Sequence, residues 1–102
     1  MIAMTVDDMR TGSAKAAALM GALSHEGRLL IMCALCEKEH GVSELLRITG
    51  LGQSALSQHL AKLRSDDLVT TRRESQTIFY SLNNPTVKSL LEILHHDYCA
   101  QK

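Results

Sequence analysis

The sequence predicts a mainly α-helical domain carrying one β-hairpin, in the order four helices, hairpin, fifth helix. Three observations predict it. Apolar residues recur at helical spacing from Ala14 to Leu63 and again from Val87 to Tyr98; the period changes to two after Leu68; and Gly, Pro and Asn stand where helices stop or start. Composition agrees with a single domain spanning 1–102, since 45% hydrophobic residues suit a folded core. With 3% aromatics and no Trp, that core is built from Leu, Ile, Val, Met and Ala. Such a composition favours close helix packing and a core shared across a dimer.

Residues 13–23 read as the first helix, with Ala14, Ala17, Ala18, Met20 and Leu23 apolar and Lys15 the only charge. Before it, residues 1–12 show no useful periodicity and are expected to be a partly mobile segment. Ser24 is the expected N-cap of the second helix, with Glu26 favourable in its first turn. That helix runs to about Glu37 and is apolar on nearly every side after Arg28, which marks a buried central helix. His40-Gly41 interrupts, a short helix follows over 43–49, and Gly50 stops it. Gly50-Leu51-Gly52 then turns into a helix over 53–65, and two short helices joined by a Gly-containing turn are a helix-turn-helix. Val69–Arg73 and Thr77–Ser81 flank Glu74-Ser75-Gln76 as a β-hairpin. Asn84-Pro85 supplies N-cap and N1 of the last helix, whose Val87, Leu90, Leu91, Leu94 and Tyr98 share one face. A helix-turn-helix followed by a hairpin is a winged helix.

Charge excludes a strongly basic protein, because eleven basic and eleven acidic residues cancel. Residues 47–76 nevertheless hold five basic residues (Arg47, Lys62, Arg64, Arg72, Arg73) against Asp66, Asp67 and Glu74, a local excess of two. The start of the chain has no secretory pattern and its longest apolar run, Leu29–Cys36, is too short to span a bilayer. Three cysteines in that context are expected to be reduced thiols in the cytoplasm, away from any membrane.

Over residues 53–64, Leu56, Leu60 and Leu63 form one narrow stripe and anchor the helix. The remaining surface carries Gln53, Ser54, Ser57, Gln58, His59, Lys62 and Arg64. Such a face is either plain solvent surface or a reader of double-stranded DNA. Small residues admit it to the major groove, Gln58 can pair with adenine, Ser hydroxyls can meet bases or phosphates, and Lys62 and Arg64 can reach phosphates. Arg72, Arg73 and Gln76 around the hairpin tip suit backbone or minor-groove contact. The order of elements, more than any one residue, favours DNA.

The segments Leu23-Ser24-His25-Glu26-Gly27-Arg28-Leu29, Gln53-Ser54-Ala55-Leu56-Ser57-Gln58-His59-Leu60 and Leu68-Val69-Thr70-Thr71-Arg72-Arg73 closely resemble the ArsR/SmtB family of winged-helix regulators. The resemblance covers about Ser13 to Cys99. It implies a homodimer formed through the first and last helices, binding an inverted-repeat operator and releasing it to an inducer. Gly52 stands where the family often has an N-capping Ser, and Ser75 where the hairpin tip often has Gly. The family's metal sites lack their ligands here: the Cys-x-Cys position reads Val42-Ser43-Glu44-Leu45, and the Asp-x-His position reads Asn84-Pro85-Thr86. No metal or other cofactor is expected, although His95, His96 and Asp97 keep a zinc-responsive alternative open.

The ending Ile93–Cys99 and the wing Gln76–Tyr80 look especially like the HlyU-like branch, which with the BigR-like regulators responds to persulfides or oxidants through a cysteine pair. By that resemblance Cys33 and Cys99 form the redox-sensing pair, facing a small sulfur or oxidant inducer, with Cys36 a possible competitor. Read from the residues alone, Cys33 is rather a small core hydrophobe midway along the buried second helix, and only the resemblance reverses this. Cys33-Ala34-Leu35-Cys36 also spells C-x-x-C, but it lies deep in a helix, without the exposed helix start an oxidoreductase requires. The expectation is a non-enzymatic transcription regulator, repressor or antisilencer. A winged helix used only for protein–protein contact is the remaining alternative.

Overall fold

The structure, a computed structural model, describes residues 4–99. Its elements are α1 (Val6–Leu23), α2 (Glu26–Glu37), β1 (His40–Gly41), α3 (Val42–Thr49), α4 (Gln53–Ser65), β2 (Val69–Glu74), β3 (Thr77–Leu82) and α5 (Pro85–Tyr98). The order of helices and hairpin is the one expected. Four details correct the sequence reading.

First, α1 begins at Val6, not residue 13. Thr5 caps it by accepting the Asp8 N–H at 3.1 Å, and Asp7 and Asp8 sit in its first turn, where carboxylates suit the helix dipole. The expected mobile segment is therefore helical from Val6 onward, while residues 1–3 lie outside the described residues. Second, α2 is capped by His25 rather than Ser24: its Nδ1 accepts the Gly27 N–H at 2.9 Å. An imidazole nitrogen serves as acceptor here as a hydroxyl would.

Third, the hairpin belongs to a three-stranded antiparallel sheet in the order β1-β3-β2. His40 and Gly41 pair with Tyr80 and Phe79, and β2 pairs with β3 from Val69↔Leu82 to Glu74↔Thr77. A two-residue strand is too short to show a period, so the sequence marked it only as a break. Fourth, α2 is not buried all round. Ile31, Met32, Ala34 and Leu35 are in the core, but Leu30 and Cys33 are exposed, so Cys33 is not a core residue.

The core gathers Ile31 and Met32 from α2, Leu45 from α3, Leu56 and Leu63 from α4, Val69 from β2 and Val87 from α5, all fully buried. The stripe expected on α4 is thus its inner face. Two chain reversals hold α4 in place. Gly50 closes α3 in the left-handed conformation (φ 72°), donating to the Leu46 carbonyl at 3.0 Å. At the other end Asp67 is also left-handed (φ 60°), and Leu68 N–H donates to Leu63 O at 2.9 Å, completing a Schellman stop. Asn84 caps α5 as expected, accepting from Thr86 and Val87. Beyond Leu91 the described residues leave Ile93, Leu94 and Tyr98 of α5 exposed, and likewise Val6, Met9 and Met20 on α1.

Candidate nucleic-acid interface and thiol cluster

The outer face of α4 is open. Gln53, Ser54, Ser57, Gln58, Lys62 and Arg64 are all exposed, and among the described residues no hydrogen bond ties the side chains of Gln53, Ser54, Ser57 or Gln58. Lys62 pairs with Asp66 one turn on, at 3.3 Å. Three Leu on the inner face hold the helix down, leaving a polar, small-residue outer surface available to a partner.

His59 is placed differently from its neighbours. Its ring is half-buried and lies 4.4 Å from the His25 ring, centroid to centroid, with Nδ1 at 3.5 Å from Arg28 Nη1. Arg28 in turn donates from Nε to the Ala22 carbonyl. Burial, and then the nearby His25 and Arg28, hold the imidazole below its ordinary pKa. This packing is close because position 27 is Gly: a Cβ there would stand 3.0 Å from His59 Nε2 and 3.2 Å from the His25 ring. His59 therefore joins α4 to the α1–α2 corner rather than standing on the open face. A histidine within a polar stretch gave no hint of this.

The two wing arginines also part company. Arg72 donates from Nε to Glu39 at 2.9 Å and from Nη1 to Glu74 at 2.7 Å, with its guanidinium 4.6 Å from the Phe79 ring centroid. These hydrogen bonds raise its pKa further and hold Glu39 below the ordinary carboxylate range. Its charge is largely answered within the protein. Arg73 and Gln76 are exposed, and no ion pair engages Arg73 among the described residues. The turn itself puts Ser75 at φ 59°, a conformation natural to glycine.

His40 was not singled out by the sequence. It is 4% exposed, its Nδ1 lies 3.2 Å from Glu44 Oε1, and its Nε2 has no partner among the described residues. Glu44 also accepts the Gly41 N–H at 3.3 Å, which fastens the start of α3 to the sheet. The Gly41 N–H and then His40 keep the Glu44 carboxyl below its ordinary range.

The cysteines are all free thiols. Cys33 and Cys36 line one cavity of about 330 Å³ between α2 and α5, with Lys88, Leu91, Glu92 and His95 opposite. Cys33 is exposed and Cys36 half-buried; burial, and then Cys33, push the Cys36 thiol up. Cys99 follows α5, its N–H donating to the His95 carbonyl at 2.9 Å, so it sits one turn beyond a residue lining that cavity. Among the described residues no three His, Cys, Asp or Glu side chains are grouped to hold a metal ion. Nor is any single described helix long and apolar enough to cross a membrane.

Known proteins are similar to this chain in sequence and fold. The sequence profile of the bacterial regulatory protein, arsR family, matches residues 25–71. The chain is 50% identical over 96 residues to the transcriptional activator HlyU of Vibrio cholerae, covering 94% of this chain and 89% of that one. The solved reduced HlyU from Vibrio cholerae superposes with a TM-score of 0.85 at 50% identity, over 92% of this chain and 99% of that one. The repressor BigR from Xylella fastidiosa gives a TM-score of 0.90 at 41% identity, over 96% and 100%. With the profile running from the cap of α2 into β2 and similarity extending across nearly the whole chain, the protein belongs to the arsR family of bacterial regulatory proteins, as a DNA-binding transcriptional regulator of the HlyU and BigR type.

Proposed function

We propose that this regulator acts in the cytoplasm as a homodimer on an inverted-repeat operator, and that thiol chemistry at Cys33 and Cys99 switches its hold on DNA. The observation that carries the DNA reading is the open polar face of α4, fixed from behind by three buried Leu. In this reading Gln53, Ser54, Ser57 and Gln58 meet base edges and nearby phosphates in the major groove, and Lys62 and Arg64 meet the backbone. At the wing, Arg73 and Gln76 make the contact, while Arg72 holds the wing to Glu39. His59 sets the helix's position and does not touch DNA.

The dimer reading is supported by α1 and α5. Each carries large apolar side chains that the described residues leave exposed, and α1 buries only Ala22 and Leu23 among its 18 residues. Pairing α1 and α5 with their copies would cover those faces and set the two α4 helices about one DNA turn, ~34 Å, apart. A sulfur bridge from α2 to the end of α5 would disturb that spacing. Support for the thiol reading is the position of Cys99 one turn beyond the cavity that holds Cys33, and the likeness to HlyU and BigR.

The test is operator binding by the reduced protein, followed by a small organic persulfide, with zinc titrated in parallel. Loss of binding with persulfide, restored by reductant and absent in Cys99→Ser, is expected. Binding that survives persulfide but is abolished by zinc would replace the thiol reading with a metal-responsive one. An absence of any salt-sensitive DNA affinity would defeat the operator reading itself.

A further inference from the structure

The cavity between α2 and α5 holds one thiol too many for a two-cysteine switch. Cys33 and Cys36 both line it, three residues apart on one helix, while Cys99 lies a turn further along α5. Neighbours at this spacing have Cβ atoms about 5–6 Å apart in a regular α-helix, slightly beyond disulfide reach. The last turn of a helix readily tightens toward 3₁₀ geometry, in which residues three apart eclipse. Cys36 is in that last turn: α2 ends at Glu37 and the chain becomes extended at Lys38 (φ −173°, ψ 173°).

We infer that Cys36 is a second resolving thiol, which captures the sulfur-loaded form of Cys33 in a bridge confined to α2 and so diverts it from Cys99. The inference rests on the persulfide reading of Cys33 given above. Exposure determines the order of events. Cys33 is exposed and meets the inducer first, whereas Cys36 is half-buried and burial pushes its thiol up.

Attack of the Cys33 thiolate on the outer sulfur of an organic persulfide, RSSH, forms Cys33–S–SH and releases RS⁻. Cys36 Sγ then attacks Cys33 Sγ. The new Cys33–Cys36 bond replaces the bond to the outer sulfur, which leaves as H₂S with the Cys36 proton. The two cysteine thiols are oxidised by two electrons in total and the outer sulfur is reduced to sulfide. Lys88, whose charge favours the Cys36 thiolate, lines the same cavity from α5. A bridge within one helix ties α2 to nothing else. It leaves α5 free and the operator held, so Cys36 raises the inducer dose needed for release.

The Cys99→Ser variant isolates the step. Trypsin cuts after Arg28 and Lys38, giving one peptide, Leu29–Lys38, that contains both cysteines. After persulfide treatment that peptide is expected to lose two hydrogens relative to the dithiol, with operator affinity unchanged. In the full three-cysteine background, Cys36→Ala is expected to lower the persulfide dose for half-release about twofold if Cys36 and Cys99 capture Cys33 equally well. A Leu29–Lys38 peptide that remains a dithiol, or stops at Cys33 persulfide, overturns the inference. So does a bridged peptide accompanied by operator release. Failure of the underlying switch is read separately, as a Cys36→Ala protein that keeps its operator under persulfide, whatever the mass of the Leu29–Lys38 peptide in Cys99→Ser.

Discussion

Replacing Gly27 with Ala tests how the α4 helix is held. At most helical positions Gly→Ala is favourable by about 0.5–1 kcal/mol, because Ala loses less backbone entropy. Here the added Cβ would stand 3.0 Å from His59 Nε2 and 3.2 Å from both Cε1 and Nδ1 of His25. Neither ring is free to swing. His25 Nδ1 is committed to the Gly27 N–H, and His59 packs against His25 with the two rings tilted by 56° and Arg28 beside them. Overpacking of this kind costs about 1–3 kcal/mol, which outweighs the helix gain. A net loss of about 1 kcal/mol is expected, lowering the melting temperature by about 4–8 °C for a domain of this size. The assay is urea and thermal unfolding of Gly27→Ala, His59→Ala and the double variant at one protein concentration. Removing the His59 ring removes the closest contact, so the cycle should show coupling of at least about 0.5 kcal/mol. Additive effects, or a Gly27→Ala protein as stable as its parent, would refute the account of His59 as the tie between α4 and the α1–α2 corner.

Three further outcomes follow from the same geometry. His59 is held below its ordinary pKa of 6.5, so the unfolded chain binds its proton more readily; this contribution is present above pH 6.5 and is lost as pH falls through the folded value. Denaturant midpoints should therefore decline from about pH 6.5 toward 5, above the carboxylate range, and His59→Gln should flatten the decline. Ser75→Gly should raise stability by about 1 kcal/mol, since φ 59° penalises a side chain there; an unchanged unfolding midpoint would count against the turn geometry. Leu63→Ala, at a fully buried position behind the open face of α4, should cost about 2–5 kcal/mol in urea unfolding, whereas Ala61→Ser on the exposed side should cost less than about 0.5.

Much of the fold was legible because its signals are local. The periodicity of Leu56, Leu60 and Leu63, Gly50 after α3 and Asn84-Pro85 before α5 each state their structural role within a few residues. The start of α1 was less legible, for a physical reason: Thr5-Val6-Asp7-Asp8 is a capped first turn, but α1 buries so little that no apolar stripe announced it. β1 was missed because two residues cannot carry an alternation, and its strand exists only through pairing with Phe79 and Tyr80.

The candidate site divides in the same way. From its sequence alone this chain determined its order of elements, the inner face of α4, the polar composition of the opposite face and, through family resemblance, the identity of a regulator. Only the tertiary structure decided which polar residues are spoken for. Arg72 and Arg73 are adjacent and chemically alike, yet Glu39, 33 residues away in the chain, engages the first. His59 lies among DNA-facing candidates, yet Arg28, 31 residues away, and His25 draw it inward. Cys33, on a helix that reads as apolar throughout, is exposed because the core takes Ile31, Met32, Ala34 and Leu35 instead. Periodicity reports which face of an element is apolar. Partners distant in sequence decide which side chains on the other face remain available, and those contacts leave no local trace.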